Sequence, residues 1–193
     1  MSNQYADFVY HPRYGRCPQI TGLNPQTVLG GDTYIHWHSP KNCRIPNTAI
    51  LADLSRQSFS IIPVIHYYDV KRQCRDCGKP FIFFAEEQKY WYEELGFSIH
   101  SDCVRCYPCR KRHHGIQYLR VRYEELFHVS ERTLEQNLEM ADCCLLLIEA
   151  GVFHRKQVQR VRVLINRIPA ERDEETQSKC NDLLARLSVV ENA

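Results

Sequence analysis

The amino-acid sequence predicts an α+β protein, and three observations carry the prediction. Residues 1–58 are rich in Pro, Gly, Asn and Tyr and keep no sustained apolar period, so an irregular amino-terminal segment is expected, packed on the cysteine-bearing middle of the chain. Residues 59–115 hold two Cys-x-x-Cys pairs around a short aromatic strand and a helix. Residues 116–193 repeat apolar positions at helical spacing, as a small antiparallel bundle with short turns requires.

In the first segment, His11-Pro12-Arg13-Tyr14-Gly15 and Thr21-Gly22-Leu23-Asn24-Pro25 are turn-forming, and Gly30-Gly31 precedes a strand candidate at Thr33–Trp37. The middle segment opens with the apolar run Phe59–Tyr68. It continues with the strand Phe81–Phe84 and a helix over Ala85–Leu95 that Gly96 stops in the left-handed conformation. Beyond Tyr118–Phe127, Ser130 is the expected N-cap of a helix to Ala150, with Leu134, Leu138, Ala141, Leu145 and Ile148 on one face and Gly151 closing it. A helix over His154–Ile168 turns Val158, Val161, Leu164, Ile165 and Ile168 inward and ends at Pro169. The last helix, Glu171–Val189, is expected to bury Cys180, Leu183, Leu184 and Leu187.

Of the 193 residues, 44% are apolar and 25% charged, a balance that folds. The 25 basic and 23 acidic residues nearly cancel, so any affinity for nucleic acid or anionic membrane must come from local clustering. The longest apolar run, Cys143–Ile148, falls far short of the ~20 residues that cross a bilayer. The first ten residues lack a basic stretch followed by an apolar one, so a cytoplasmic protein without an export signal is expected. In such a chain ten cysteines read as reduced thiols and metal ligands before they read as disulfides.

The chemistry lies in Cys74-Arg-Asp-Cys77-Gly78-Lys79 and Cys106-Tyr-Pro-Cys109-Arg110-Lys111. Two intervening residues let a tight turn bring both sulfurs within about 4 Å, as tetrahedral zinc with bonds of about 2.3 Å demands. Gly78 lets the backbone fold back toward sulfur. Two such turns make a closed four-sulfur site for one Zn²⁺, with no open position for water, so a structural ion is expected and not a hydrolytic one. The net negative charge is offset by Arg75, Lys79, Arg105, Arg110, Lys111 and Arg112 nearby. Because Cys103-Val-Arg-Cys106 is a second, overlapping pair, Cys103 stands as an alternate ligand. Pro108 and the helix that can start after it favour Cys106 and Cys109. The module is of zinc-ribbon type, or of treble-clef type if the second pair opens a helix.

The run Cys74-x-x-Cys77-Gly-x-x-Phe81-x-Phe83-x-Ala85-x-Glu87-Gln88-x-x-x-Tyr92, then Gly96-Phe97, then Cys106-x-x-Cys109-Arg110 resembles the bacterial probable zinc-ribbon family over about residues 70–112. The resemblance implies a zinc module with these four ligands and assigns no activity. The chain departs from the family at His100-Ser101-Asp102-Cys103, where relatives carry a proline-bearing segment without a third cysteine.

Phe81, Phe83, Phe84, Tyr90, Trp91, Tyr92 and Phe97 are expected chiefly inside, since a small zinc module has little other apolar interior. Glu86 and Glu87 lack a base, a nucleophile or an open metal beside them, so no catalytic residue is assigned. His36, His38 and Cys43, with Cys17, have ligand types but no paired turn to fix their geometry. His113-His114 lacks the spacing of a His-Asn-His nuclease, and Cys143-Cys144 sits in an inward helical stripe.

The leading functional reading is therefore a non-catalytic zinc protein that acts as a protein-interaction adaptor, with no small-molecule substrate and no membrane. A nucleic-acid or ribosome-associated binder is the alternative, through Arg105, Arg110, Lys111, Arg112, Arg120 and Arg122, although Glu124-Glu125 and Glu171–Glu175 supply compensating acids. A redox-sensitive zinc switch is the third.

Overall fold

Strand-forming aromatic residues are concentrated just before residue 84, and a hairpin built from them organises the first part of the chain. The computed structural model describes residues 4–25, 42–60, 63–169 and 171–192. It divides into two compact units, Met1–Arg110 and Lys111–Ala193. The strand candidate Thr33–Trp37 lies outside the described residues.

In the first unit β1 (Ile50–Leu51) pairs antiparallel with β2 (His66–Tyr67), and β3 (Val70–Gln73) with β4 (Pro80–Phe83). Val70 stands opposite Phe83 and Arg72 opposite Phe81. Both faces of β4 are covered, so its sequence is an unbroken apolar run. Phe81 and Phe83 pack with Cys74, Tyr92 and Ile99, whereas Ile82 and Phe84 on the alternate face pack with Ile45, Tyr5, Phe8 and Tyr14. The irregular amino-terminal residues thus supply the second layer, held by Val9 N–H donating to Pro80 O at 2.8 Å and by Gln19 N–H donating to the Asp69 carboxylate at 2.7 Å.

The expected helix over Ala85–Leu95 is α-helical only in α1 (Ala85–Lys89) and widens to a π-helical turn over Tyr90–Glu94, where Leu95 N–H reaches back to Tyr90 O at 3.0 Å. In this turn Trp91 packs against both Phe83 and Phe97, with ring centroids 5.0 and 5.4 Å away. Gly96 comes next at φ +66°, a left-handed cap that suits a residue without Cβ.

α2 (Tyr107–Phe127) starts inside the second cysteine pair, eleven residues before the expected Tyr118, and runs into the second unit. There α3 (Leu134–Glu149), a 3₁₀ turn (Arg155–Gln157), α4 (Val158–Asn166) and α5 (Glu174–Asn192) succeed one another. The N-cap of α3 is Thr133, not Ser130: its hydroxyl accepts from Gln136 N–H while the Gln136 side chain accepts from Thr133 N–H. The start of α5 shifts from Glu171 to Glu174 because the Asp173 carboxylate accepts from Thr176 N–H at 2.7 Å.

Leu138, Ala141, Leu145, Ile148, Val161, Leu164, Cys180, Leu183 and Leu187 close one apolar cluster that also holds Cys143 and Cys144. Leu184, expected inward, is 41% exposed, since it lies about 100° around α5 from Leu183. Among the described residues, no helix is long and apolar enough to cross a membrane.

Candidate metal centre

The first knuckle comes directly after β3. Gly78 N–H donates to Cys74 O and Cys74 N–H to Lys79 O, both at 2.9 Å, and Gly78 takes φ +69°, where any side chain would be strained. This turn presents Cys74 and Cys77 together. The second knuckle is the entry to α2: Arg110 N–H donates to Cys106 O at 2.9 Å, so Cys109 rides in the first helical turn. Pro108 suits that turn because its missing N–H would have no partner there. Arg75 N–H donating to Val104 O at 2.9 Å ties one knuckle to the other.

The Sγ atoms of Cys74, Cys77, Cys106 and Cys109 lie within 4.8 Å of one another, and those of Cys77 and Cys106 are 3.8 Å apart. A tetrahedron with bonds of about 2.3 Å has edges of about 3.8 Å, so the cluster has the size of a four-thiolate zinc site. Three of the four thiols are buried and Cys77 is exposed. Burial pushes the Cys74 thiol up, but amides of Cys77, Cys106 and Asp76 aimed at its sulfur outweigh that and bring it down to about 6. The Cys106 amide approaches that sulfur at 3.4 Å. Burial raises Cys106, and raises Cys109 to about 12 with help from the neighbouring sulfurs. Without a cation the four sulfurs do not all ionise, and a divalent ion would remove that conflict.

Cys103 stays outside the cluster. Its buried thiol donates to Arg105 O at 3.4 Å and receives Arg110 Nη1 at 3.0 Å, and burial raises its pKa. Arg110 also donates to Glu87 Oε1 and lies over the Trp91 ring at 4.9 Å. His11 completes this chain of contacts. Its Nδ1 accepts from Arg13 and Tyr14 amides, which leaves the proton on Nε2, 3.5 Å from Glu87 Oε1. The sequence motifs held each of these residues, but no spacing joins His11 to Glu87 and Arg110, because three separate elements carry them.

The predicted basic residues are not brought together. Arg105 pairs with Asp76 at 3.0 Å, Arg110 faces inward to Glu87, and Arg122 pairs with Glu139 at 2.7 Å and Glu125 at 3.1 Å. Lys111, Arg112 and Arg120 are exposed on α2. Glu86 is exposed while Glu87 is buried in its ion pair. His36 and His38 lie outside the described residues, Cys43 is half-buried and Cys17 exposed. Among the described residues the four cysteines form the one cluster of metal-ligating side chains. Of the aromatic insert, Phe81, Phe83, Phe84 and Tyr92 are buried, whereas Tyr90 is 44% and Phe97 42% exposed.

A knuckle, a hairpin and a second knuckle that opens a helix define a treble clef zinc-binding domain. Residues 68–117 match the model of a family described as a probable treble clef domain. The match spans both cysteine pairs, in agreement with the zinc-ribbon-like resemblance of the sequence. Neither the curated proteins nor the solved structures compared with the chain match it.

Proposed function

We propose that Cys74, Cys77, Cys106 and Cys109 hold one structural Zn²⁺ and that the protein is a non-catalytic adaptor, which presents the surface of its zinc module to a partner protein. The closed donor set supports the zinc half: with four thiolates the ion has no position left for water or substrate.

One observation carries the adaptor half. Residues 51–58 are held along the segment 89–99 by Lys89 Nζ on Leu51 O at 3.0 Å, Asp53 N–H on Glu93 at 2.8 Å, and Ile99 N–H on Ser58 at 3.2 Å. These two stretches and their immediate continuation expose Leu51, Leu54, Phe59, Tyr90, Leu95 and Phe97 to between 42% and 94%. The charges among them cancel, Lys89 with Glu93 and Arg56 with Glu94, so the face suits an apolar protein surface and not a phosphate backbone.

The test is quantitative capture from native cells with the wild-type protein and with a Leu54→Ser, Phe59→Ser variant. Both positions are exposed, so zinc content and helical signal should not change. One protein recovered at unit stoichiometry by the wild type and lost by the variant is expected. Equal recovery by both would refute the adaptor reading, and a zinc content well below one equivalent would refute the metal reading.

A further inference from the structure

The four clustered sulfurs differ in what surrounds them. Cys74, Cys106 and Cys109 are buried and Cys77 alone is exposed. The Cys74 sulfur accepts from the amides of Cys77, Cys106 and Asp76, whereas among the described residues no amide hydrogen bond reaches Cys77 Sγ. Amide hydrogen bonds hold part of a thiolate's charge and blunt its attack on an electrophile, so solvent access and an unblunted sulfur coincide at Cys77. Cys106 Sγ lies 3.8 Å from it on the other knuckle. Cys103, the fifth sulfur of this core, is sealed: its S–H donates to Arg105 O and Arg110 Nη1 lies against it.

We infer that Cys77 is an oxidation site, at which hydrogen peroxide converts the centre to a Cys77–Cys106 disulfide that joins the two knuckles as zinc leaves. The inference rests on the four-thiolate reading above. In the first step the Cys77 thiolate attacks one peroxide oxygen: an S–O bond forms, the O–O bond breaks, and the departing hydroxide takes up a proton to become water, leaving a sulfenic acid. In the second the Cys106 thiolate attacks the Cys77 sulfur: the S–S bond forms, the S–O bond breaks, and a second hydroxide leaves and is protonated. The two sulfurs lose the two electrons that the peroxide gains. Cys74 and Cys109 remain, two ligands where a closed zinc site needs four. Cys74 is the less ready second thiolate, because its three amides hold it. A bridge between residues 29 apart ties the hairpin to the start of α2, as the ion does, whereas a bridge within either Cys-x-x-Cys turn would not.

The test uses full-length protein purified without added metal. Its zinc content is measured first, hydrogen peroxide is then added while a chromogenic chelator reports free zinc, and the remaining thiols are blocked for peptide mapping by mass spectrometry. Zinc release should track formation of the Cys77–Cys106 disulfide, and dithiothreitol with added zinc should reverse both. Cys77→His keeps a donor that zinc accepts but removes the sulfur, and should release zinc about tenfold more slowly. Cys17→Ser, which removes an exposed thiol outside the cluster, should release it at the wild-type rate. The mapping of the wild type stands whether or not Cys77→His folds. A zinc content well below one equivalent before peroxide would overturn the four-thiolate reading and this inference with it. With zinc present, its retention while Cys17 is oxidised, equal slowing in Cys17→Ser, or a first disulfide at Cys74–Cys77 or Cys106–Cys109 would overturn the oxidation site alone.

Discussion

Leu145 and Phe84 are both sealed from water, yet the two units around them are stabilised by different means. Around Leu145 a single apolar cluster joins α2, α3, α4 and α5. Around the hairpin the described buried side chains divide into three smaller clusters, and the largest contains Cys74, Cys106 and Cys109 themselves. The second unit can gain about 1.5–3 kcal/mol for each large aliphatic side chain it buries, summed over one interior. The first has too little continuous interior for that and places three of the four clustered cysteines in its core instead. On the proposed zinc centre, the difference teaches that metal dependence belongs to the first unit and not to the chain as a whole.

The largest expected effect separates the units outright. Metal binding by a four-thiolate site is worth on the order of 10–16 kcal/mol of folding free energy. Cys106→Ser should therefore unfold the first unit, seen as loss of amide exchange protection in β3 and β4, while the amides of α3 and α5 stay protected. Loss of protection in both together would show that the units are not energetically distinct.

Next in size is the buried ion pair that links the amino-terminal turn to the knuckle. Glu87→Ala would strand Arg110, only 13% exposed, without its carboxylate, at a cost of about 3–5 kcal/mol, and should lower the denaturation midpoint of the first unit alone. The same variant frees His11 Nε2, so exchange protection of the Tyr14 amide should fall too. Leu145→Ala should cost the second unit about 3 kcal/mol by cavity formation and leave zinc stoichiometry unchanged. A loss of zinc in that variant would break the comparison from the other side.

A pH effect of similar size belongs to the first unit. Burial holds the Asp69 carboxyl up near 6, despite hydrogen bonds from Ala85 and Gln19 amides. In the unfolded chain it titrates near 3.9. Between these values the native state keeps a proton that the unfolded state has lost. The contribution of Asp69 is therefore complete below about pH 4 and disappears as pH rises through 6. A carbon-13 titration of this carboxyl in the zinc-loaded protein should show a midpoint near 6, and a midpoint below about 4 would contradict the burial argument. The smallest effect tests the second unit's local chemistry: Thr133→Ala should cost about 1 kcal/mol by removing the capping box of α3, and Ser130→Ala should cost nothing measurable.

That last contrast marks where sequence reading stops. Leu134, Leu138, Ala141 and Leu145 announced the buried face of α3 through spacing alone, and Gly96 and Gly151 announced two helix ends because both need positive φ. Ser130 suits an N-cap by residue type, but the turn held by Arg132 on the carbonyls of Leu126 and Val129 sets the start of α3 at Thr133, where Gln136 closes the capping box. The π-helical turn at Tyr90–Glu94 was not legible, since one widened turn hardly disturbs an apolar period. The gathering of four cysteines was legible because the constraint is local to each knuckle. The chain His11–Glu87–Arg110–Cys103 was not, because its partners meet only after the amino-terminal segment docks on β4. Likewise, a run of cations reads as one patch until the carboxylates that neutralise Arg105 and Arg122 are seen.

X-ray absorption at the zinc edge, on full-length protein purified without added metal, addresses the four-thiolate centre most directly. One equivalent of zinc surrounded by four sulfur atoms at about 2.3 Å is the expected result. Nitrogen or oxygen in the first coordination sphere, or a zinc content near zero in protein whose hairpin amides remain protected, would contradict it.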